Sequence, residues 1–302
     1  MTQSSPRISV VIPAFNAEEF IVHAIESVVR QSYSDIEIIV VDDGSQDGTR
    51  AAVSSFDDPR IRVITQGHHG VVSAANRGFD ESRGEYVARV DSDDVMMPGR
   101  LVAQLGFLES HRDAAVCGTA YELFGAASGY VRMPLSDRAC RQRLLLATCF
   151  AQSSVMLRKS VLDKNDLRYR AHTDGLGEDY QLWCEISEHG RMANLPMIGL
   201  RYRVHSHQAS TIHWNRLVSN YIRISTEHAL RVGRRPLSAA DLIALMKPVS
   251  KTAGDTSAAN PSMTGVILAA ARAVLRAPGV ETTRFAAQCA LERFSDLRAL
   301  DG

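Results

Sequence analysis

Residues 84–94 read Gly84-Glu85-Tyr86-Val87-Ala88-Arg89-Val90-Asp91-Ser92-Asp93-Asp94. An apolar run of strand type ends there in a cluster of carboxylates. The two-residue period of a strand puts Asp91 and Asp93 on one side. Two carboxylates converging at a strand end repel unless a cation lies between them. Mg2+ or Mn2+ takes oxygen ligands of this kind together with substrate phosphates. The alternative is a cap, with Asp93 or Asp94 starting the helix expected near Pro98. For an isolated D-x-D, capping is the commoner outcome.

Upstream the same strand-then-polar-loop pattern occurs twice more. Residues 8–12 form a buried-type strand stopped by Pro13, and 36–41 form another that runs into Asp42-Asp43-Gly44-Ser45-Gln46-Asp47-Gly48-Thr49. Between them Phe20, Ile21, Ala24, Ile25, Val28 and Val29 recur at helical spacing. A short helix through Ala51 and Val53, a strand over 61–65 and a helix over 72–81 complete the repetition. Strand-helix-strand alternation predicts an α/β fold, a mostly parallel sheet flanked by helices. Ligands in such sheets sit at the carboxyl ends of strands, where these polar loops fall. Downstream, helices are expected over 100–111, 137–147 and 178–189, and extended segments over 115–124, 154–157 and 195–204. From residue 213 only helical patterns remain, over 214–232, 239–247, 263–276 and 283–300. A catalytic domain over 1–212 and a helical region over 213–302 follow.

Composition narrows the function classes. The chain has 302 residues, 45% hydrophobic and 23% charged, with 34 Lys+Arg against 34 Asp+Glu. Zero formal charge lacks the basic footprint of a nucleic-acid binder. The 20 Gly and 10 Pro show no low-complexity bias. Five scattered cysteines without C-x-x-C argue against a zinc site or disulfide framework and for a reducing compartment. With no signal peptide and no stretch of ~20 apolar residues, a cytoplasmic location is expected.

Other constellations carry chemistry and each has a plainer reading. The Asp42-Asp43-Gly44-Ser45 loop could accept hydrogen bonds from a base or ribose, or be an ordinary turn with Asp47 capping the next helix. Phe15 could stack on a planar base or pack in the core, and Asn16 could cap the following helix or bind a ligand. Glu178-Asp179 pairs two carboxylates at a helix start. A base needs an ionised carboxylate, but acidic residues also simply favour first turns, which weakens them as bases unless burial offsets the effect. His205, in Tyr202-Arg203-Val204-His205-Ser206-His207, could meet a metal or phosphate, or be a surface histidine.

Taken in order, these segments resemble a known family. Val11-Ile12-Pro13-Ala14-Phe15-Asn16, Asp42 to Thr49, Gly70-Val71-Val72-Ser73-Ala74-Ala75-Asn76-Arg77-Gly78, Gly84 to Asp94 and Glu178-Asp179-Tyr180-Gln181-Leu182-Trp183 are similar to the successive motifs of family 2 glycosyltransferases with a GT-A fold. The resemblance spans about residues 8–210. It implies transfer of one sugar from a nucleotide-sugar donor, with a UDP-sugar as default, to an acceptor hydroxyl with inversion. By the same resemblance Pro13 and Phe15 line the nucleoside pocket, joined by Asn16, and Asp42 and Asp43 include the carboxylate for base or ribose. Asp91 and Ser92 lie near the donor's ribose or sugar. Asp93 holds Mn2+ or Mg2+ on the diphosphate, with His205 near it. Asp179 matches the catalytic base, with Glu178 beside it. Asn76 and Arg77 are candidate donor-binding residues in a motif where many members make a diphosphate or structural contact. Two departures stand out. Many members carry Arg where this chain has Ala75, leaving open whether Arg77 substitutes. No Gln-x-x-Arg-Trp occurs near 200–205, which favours single-sugar addition over processive synthesis.

Rival classes are weaker. A nucleotidyltransferase would carry a Gly-rich basic loop after the first strand, where this chain has Pro13-Ala14-Phe15-Asn16, and no G-x-G-x-x-G after a strand or P-loop is present. The non-enzyme alternative is a catalytically silent sugar-nucleotide-binding or assembly protein. Expected partners are the donor and a glycan or lipid-linked glycan acceptor, in bacterial surface polysaccharide or glycoconjugate synthesis. The helix over 263–276 mixes Val266, Ile267 and Leu275 with Arg272 and Arg276. It reads either as peripheral contact with the inner face of an anionic membrane or as a buried or homodimer-forming helix.

Overall fold

A computed structural model describes residues 5–173, 175–206 and 208–245. The helices expected over 263–276 and 283–300 lie outside them. The elements run β1 (Ile8–Ala14), α1 (Ile21–Val29), β2 (Ile36–Asp42), α2 (Thr49–Ser54), β3 (Ile61–Thr65), α3 (Val71–Glu81), β4 (Tyr86–Arg89), β5 (Val95–Met96), α4 (Arg100–Ser110), β6 (Ala114–Gly125), β7 (Gly129–Val131), α5 (Asp137–Leu144), β8 (Met156–Arg158), α6 (Lys159–Lys164), α7 (Glu178–Ile186), β9 (Arg191–Val204), α8 (Ala209–Ile212), α9 (Trp214–Arg231) and α10 (Ala239–Leu245). The sheet order is β3-β2-β1-β4-β8-β6-β9-β5, with β7 on β6.

The first four strands of that order are parallel. β8 then pairs antiparallel with both β4 and β6, β9 runs parallel to β6, and β5 runs antiparallel to β9. The sheet is therefore mixed. β1, β2 and β4 are buried along their whole length, as strands covered on both faces must be. Ile8, Val10 and Ile12 of β1 join Ile21, Ile25 and Val28 of α1 in one core. Val11 points the other way, toward Gly78 of α3. The alternation of side chains along a strand produces these two layers.

Residues 8–12 do not stop at Pro13, as the sequence suggests; β1 continues to Ala14. Pairing with β4 ends at Val11, whose carbonyl accepts from Val90 N, while Ala14 O accepts from Asp43 N on the β2 side. Residues two apart on a strand direct their backbone groups to the same side, so Pro13 turns its missing N–H toward the side where pairing has ended. The chain divides into two compact units. One comprises the described residues through Leu135 with Phe150–His205, and Ser136–Cys149 groups in the other with the described residues from Ser206 on. The candidate site lies in the first unit. In the second, Ser225 Oγ donates to Leu145 O at 2.8 Å. Among the described residues no helix is long and apolar enough to cross a membrane.

Candidate active site

The acidic loop leaves β4 and enters β5. Asp91 N donates to Ser153 Oγ at 2.8 Å, and Asp94 N closes a turn on Asp91 O. β5 pairs Val95 with Arg201 and Met96 with Leu200 of β9. Continued toward the loop, that antiparallel register brings the end of β9 to the carboxylates. Arg203 N donates to Asp94 Oδ1 at 2.8 Å, and Arg203 Nε donates to Asp93 O at 2.8 Å. His205 Nε2 lies 3.0 Å from Asp93 Oδ2. The Arg203 guanidinium is also stacked over Phe20 and Phe124, which fixes this end of β9.

The carboxylates divide by environment. Asp94 is buried, and burial together with Asp93 and Asp91 pushes its carboxyl well above the ordinary range. It does not cap the helix after Pro98. α4 starts behind Gly99 without a side-chain cap, and Asp94 instead extends the backbone ladder of β9. Asp93 is raised too, by burial and by Asp91, with His205 pulling the other way. A carboxylate penalised by a neighbouring carboxylate, with an imidazole at its open oxygen, is a donor set that fits a divalent cation completed by phosphate oxygens and water.

The second carboxylate pair begins α7. Gly177 precedes the helix at φ 89°, a left-handed conformation that suits glycine. It turns the chain so that Glu178 and Asp179 open the first turn. Glu178 is buried and Asp179 half-buried. Burial and the adjacent Asp179 push Glu178 up to about 7. Burial and the charge of Asp91 push Asp179 up to about 6, against opposing pulls that include its backbone and the Trp183 indole. Burial thus outweighs the first-turn environment, and Asp179 becomes a stronger base than an exposed aspartate while remaining mostly ionised at pH 7.

At the carboxyl end of β1 and β2, two loops are laced together. Asn16 N donates to Ser45 Oγ and Asn16 Oδ1 accepts from Gln46 N, while Ala17 N reaches Thr49 Oγ1. Gly44, at φ 79°, passes so close to His68 N that a Cβ would sit 2.9 Å from it. Phe15 is 41% exposed, so it is not a core residue, and its ring stacks on His68 with centroids 3.9 Å apart.

A model of glycosyl transferase family 2 matches residues 9–165, just over half of the chain. The chain belongs to glycosyl transferase family 2. An uncharacterized glycosyltransferase of Haemophilus influenzae is 28% identical over 70% of this chain and 69% of its own. The Escherichia coli enzyme WfgD, a UDP-Glc:alpha-D-GlcNAc-diphosphoundecaprenol beta-1,3-glucosyltransferase, is 28% identical over 65% of this chain and 77% of its own. The Rhizobium meliloti succinoglycan biosynthesis protein ExoO is 30% identical over 68% and 63%. The fold is that of Staphylococcus aureus TarS in complex with UDP, at TM-score 0.63 and 17% identity over 95% of this chain and 89% of that one. It is also that of the Pyrobaculum calidifontis mannosyltransferase PcManGT in complex with GDP-Man and Mn2+, at TM-score 0.63 and 18% identity over 99% and 84%. The Rossmann-like sheet with flanking helices is the GT-A fold.

In this family 2 chain several expected site residues also make contacts within the scaffold. Asn16 does not cap α1, which begins at Ile21; its amide bonds to Gln46 instead. Asn76 is tied to the segment before α7: Nδ2 donates to Tyr169 O and Oδ1 accepts from Tyr169 N, both at 2.9 Å. Arg77, after the position where many members carry the arginine that this chain lacks at Ala75, points outward and pairs with Glu81 one turn on. Asp43 accepts from Gln66 Nε2, His69 N and Gly70 N, with His68 Nδ1 at 2.8 Å. Both its oxygens are thus used in shaping the entry to α3. Asp42 accepts from Ser45 N and the half-exposed Arg50; burial opposes ionisation, but these donors hold the carboxyl below its ordinary value. Pro13 is buried in β1, and Ser92 is half-buried beside Asp91.

Two buried arginines escaped the motif reading. Arg100 donates to Ser153 O, Arg89 O and Val155 O and to Gln104. Burial lowers it to about 9 against the pull of Asp94. Arg89 sits in the middle of the sheet with its guanidinium on Asp91. The signal for Arg89 was a lone charge inside the otherwise apolar run 86–90.

Proposed function

We propose that this protein is an inverting, metal-dependent glycosyltransferase that adds a single sugar from a nucleotide-sugar donor to a hydroxyl of a glycan or lipid-linked glycan, in bacterial surface polysaccharide or glycoconjugate synthesis. The observation that carries this reading is the position of the 91–94 loop. His205 lies against Asp93 on one side, and on the other the charge of Asp91 is felt by the elevated carboxyls of Glu178 and Asp179. The names of WfgD and ExoO support the acceptor class. The UDP bound to TarS supports a UDP-sugar as the default donor.

Asp93 and His205 would hold Mn2+ or Mg2+, which when bound offsets charge on the leaving diphosphate. Phe15 offers an exposed aromatic face for the base, and Asp42, whose Arg50 partner is exchangeable with solvent, is the better placed of the two aspartates to accept from base or ribose. Asp179 takes the acceptor hydroxyl proton as that oxygen bonds to the anomeric carbon and the bond to the diphosphate breaks on the opposite face. Glu178, pushed up by burial and by Asp179, resists ionising beside a charged Asp179 and so keeps the pair from carrying two full charges. We assign donor and acceptor chemistry to residues 1–212 and a membrane-surface, oligomerisation or acceptor role to 213–302. A lipid-linked acceptor would draw the protein to the inner membrane face.

A thermal-shift screen of UDP-, GDP-, dTDP- and CDP-sugars with and without Mn2+ tests the reading, because ligand binding to the native state raises the midpoint. A Mn2+-dependent rise with one nucleotide class, followed by nucleotide release on adding acceptor, is expected. Binding without turnover across acceptors would favour a silent binder.

A further inference from the structure

Arg203 is the last residue but one of β9, half-buried, and lies opposite Phe124 in the β6–β9 register. Its backbone and its side chain both serve the acidic loop: Arg203 N donates to Asp94 Oδ1 and Arg203 Nε donates to Asp93 O, each at 2.8 Å. The guanidinium carbon is 4.4 Å from the centre of the Phe124 ring and 4.6 Å from that of Phe20. Phe20 in turn tilts against His205, with ring centroids 5.2 Å apart, and His205 Nε2 lies 3.0 Å from Asp93 Oδ2. Arg203, Phe20, His205 and Asp93 therefore form a closed circuit of contacts. Its outer members are tied down as well. Phe124 also lies 4.5 Å from the guanidinium of Arg201, which pairs with Glu122. Phe20 N donates to Ala17 O and Ala17 N to Thr49 Oγ1, so that ring stands on a turn laced to the loop after β2.

We propose that Arg203 is a positioning residue of the transferase site: through its hydrogen bond to Asp93 O and its contact with the Phe20 ring, it sets where the Asp93 carboxylate and the His205 imidazole meet. The inference rests on the reading of that pair as cation ligands. Asp93 stands on a loop and His205 just beyond the end of β9, 112 residues away in sequence. Neither is inside a strand that would fix it, yet Mg2+ tolerates little departure from octahedral geometry. Arg203 reaches both segments at once. A planar guanidinium stacks on aromatic rings through its face while it donates from its edge. Lysine carries the same charge without the plane and cannot do both. The two chemistries separate position from charge: were Arg203 only a cation for the diphosphate, lysine would serve in its place.

Calorimetry of the whole protein with UDP, in Mn2+ and in EDTA, measures the gain in affinity that the cation brings. In Arg203→Lys that gain should fall by about tenfold or more, the scale for losing a group behind a metal ligand, while affinity in EDTA stays at the wild-type value. In the ligand-free protein the nuclear Overhauser contact between the Phe20 and His205 rings should weaken in the same variant. Either the Mn2+ gain or the ring contact unchanged in Arg203→Lys overturns the proposal. So does a loss confined to EDTA, which would mark a direct contact with the nucleotide. Should Arg203→Lys not fold, Phe124 decides: Phe124→Leu should lower the gain and Phe124→Tyr, which keeps a ring against the guanidinium, should restore it, whereas a wild-type gain in Phe124→Leu overturns the proposal. Asp93→Ala reports separately on the metal reading. A gain kept in Asp93→Ala removes that reading and this inference with it; a gain lost there but kept in Arg203→Lys removes this inference alone.

Discussion

His205 Nε2 and Asp93 Oδ2 stand 3.0 Å apart although 112 residues separate them in sequence. The contact exists because β5 and β9 pair in a register that carries the end of one to the loop before the other. If this pair holds the cation, Asp93→Ala and His205→Ala should each weaken the Mn2+-dependent part of nucleotide binding by at least about tenfold, since even residues behind metal ligands contribute that much. Calorimetry with UDP in Mn2+ and in EDTA measures it. A Mn2+ requirement left intact in both variants would remove the assignment.

Asp179→Asn keeps the size of the side chain and deletes the base. Transfer should fall by about 10²–10⁴-fold, with donor affinity within roughly twofold of wild type. In the wild-type enzyme the base must be ionised, and the Asp179 carboxyl lies at about 6. The rate should therefore be level above that pH and drop tenfold per unit below it. A rate that stays flat down to pH 5 would contradict the role.

Glu178 links the site to stability. Its carboxyl is raised to about 7 in the folded protein from an unfolded value of about 4.3. The folded state thus binds the proton more tightly, a stabilisation complete below the unfolded value and lost as pH rises through about 7. Glu178→Gln carries no charge at any pH. Its Tm relative to wild type should rise between pH 5 and pH 8, by an amount equivalent to roughly 1–3 kcal/mol. A difference in Tm that does not change with pH would be inconsistent with a strained Glu178.

Asn76→Ala removes two hydrogen bonds to the backbone of Tyr169 and strands a buried pair of backbone groups. A loss of about 1–3 kcal/mol is expected, read by urea denaturation. Because the segment after Tyr169 leads to α7, turnover should fall further than nucleotide affinity.

Gly78→Ala tests the packing of α3 on the sheet. A Cβ there would lie 2.2 Å from Val11 Cγ1, and Val11 is fully buried in β1 with no room to retreat. Overpacking of this kind costs about 1–3 kcal/mol. A thermal midpoint equal to wild type would show that the helix can move away freely.

What the sequence by itself determined was local. Apolar runs at 8–12, 36–41, 61–65 and 86–90 specify buried strands, helical spacing specifies α1 and α3, and each strand delivers an acidic or polar loop to one edge. The order of those loops identified the family and singled out the carboxylates Asp91, Asp93, Glu178 and Asp179 as candidates. Partner choice was decided by the tertiary structure. Asp42 and Asp43 are adjacent and chemically identical, yet the loop at 66–70 uses both oxygens of Asp43 and leaves Asp42 to an exposed arginine. Asn76 sits in a binding motif but turns to Tyr169, and Asp94 joins a ladder where a helix cap was the expectation. Arg89 looks like a flaw in a strand until Asp91 is found against its guanidinium. The reason is physical: periodicity is written in neighbours along the chain, whereas hydrogen-bond partners, burial and the charge state of a carboxyl depend on strands and loops brought together from far along it.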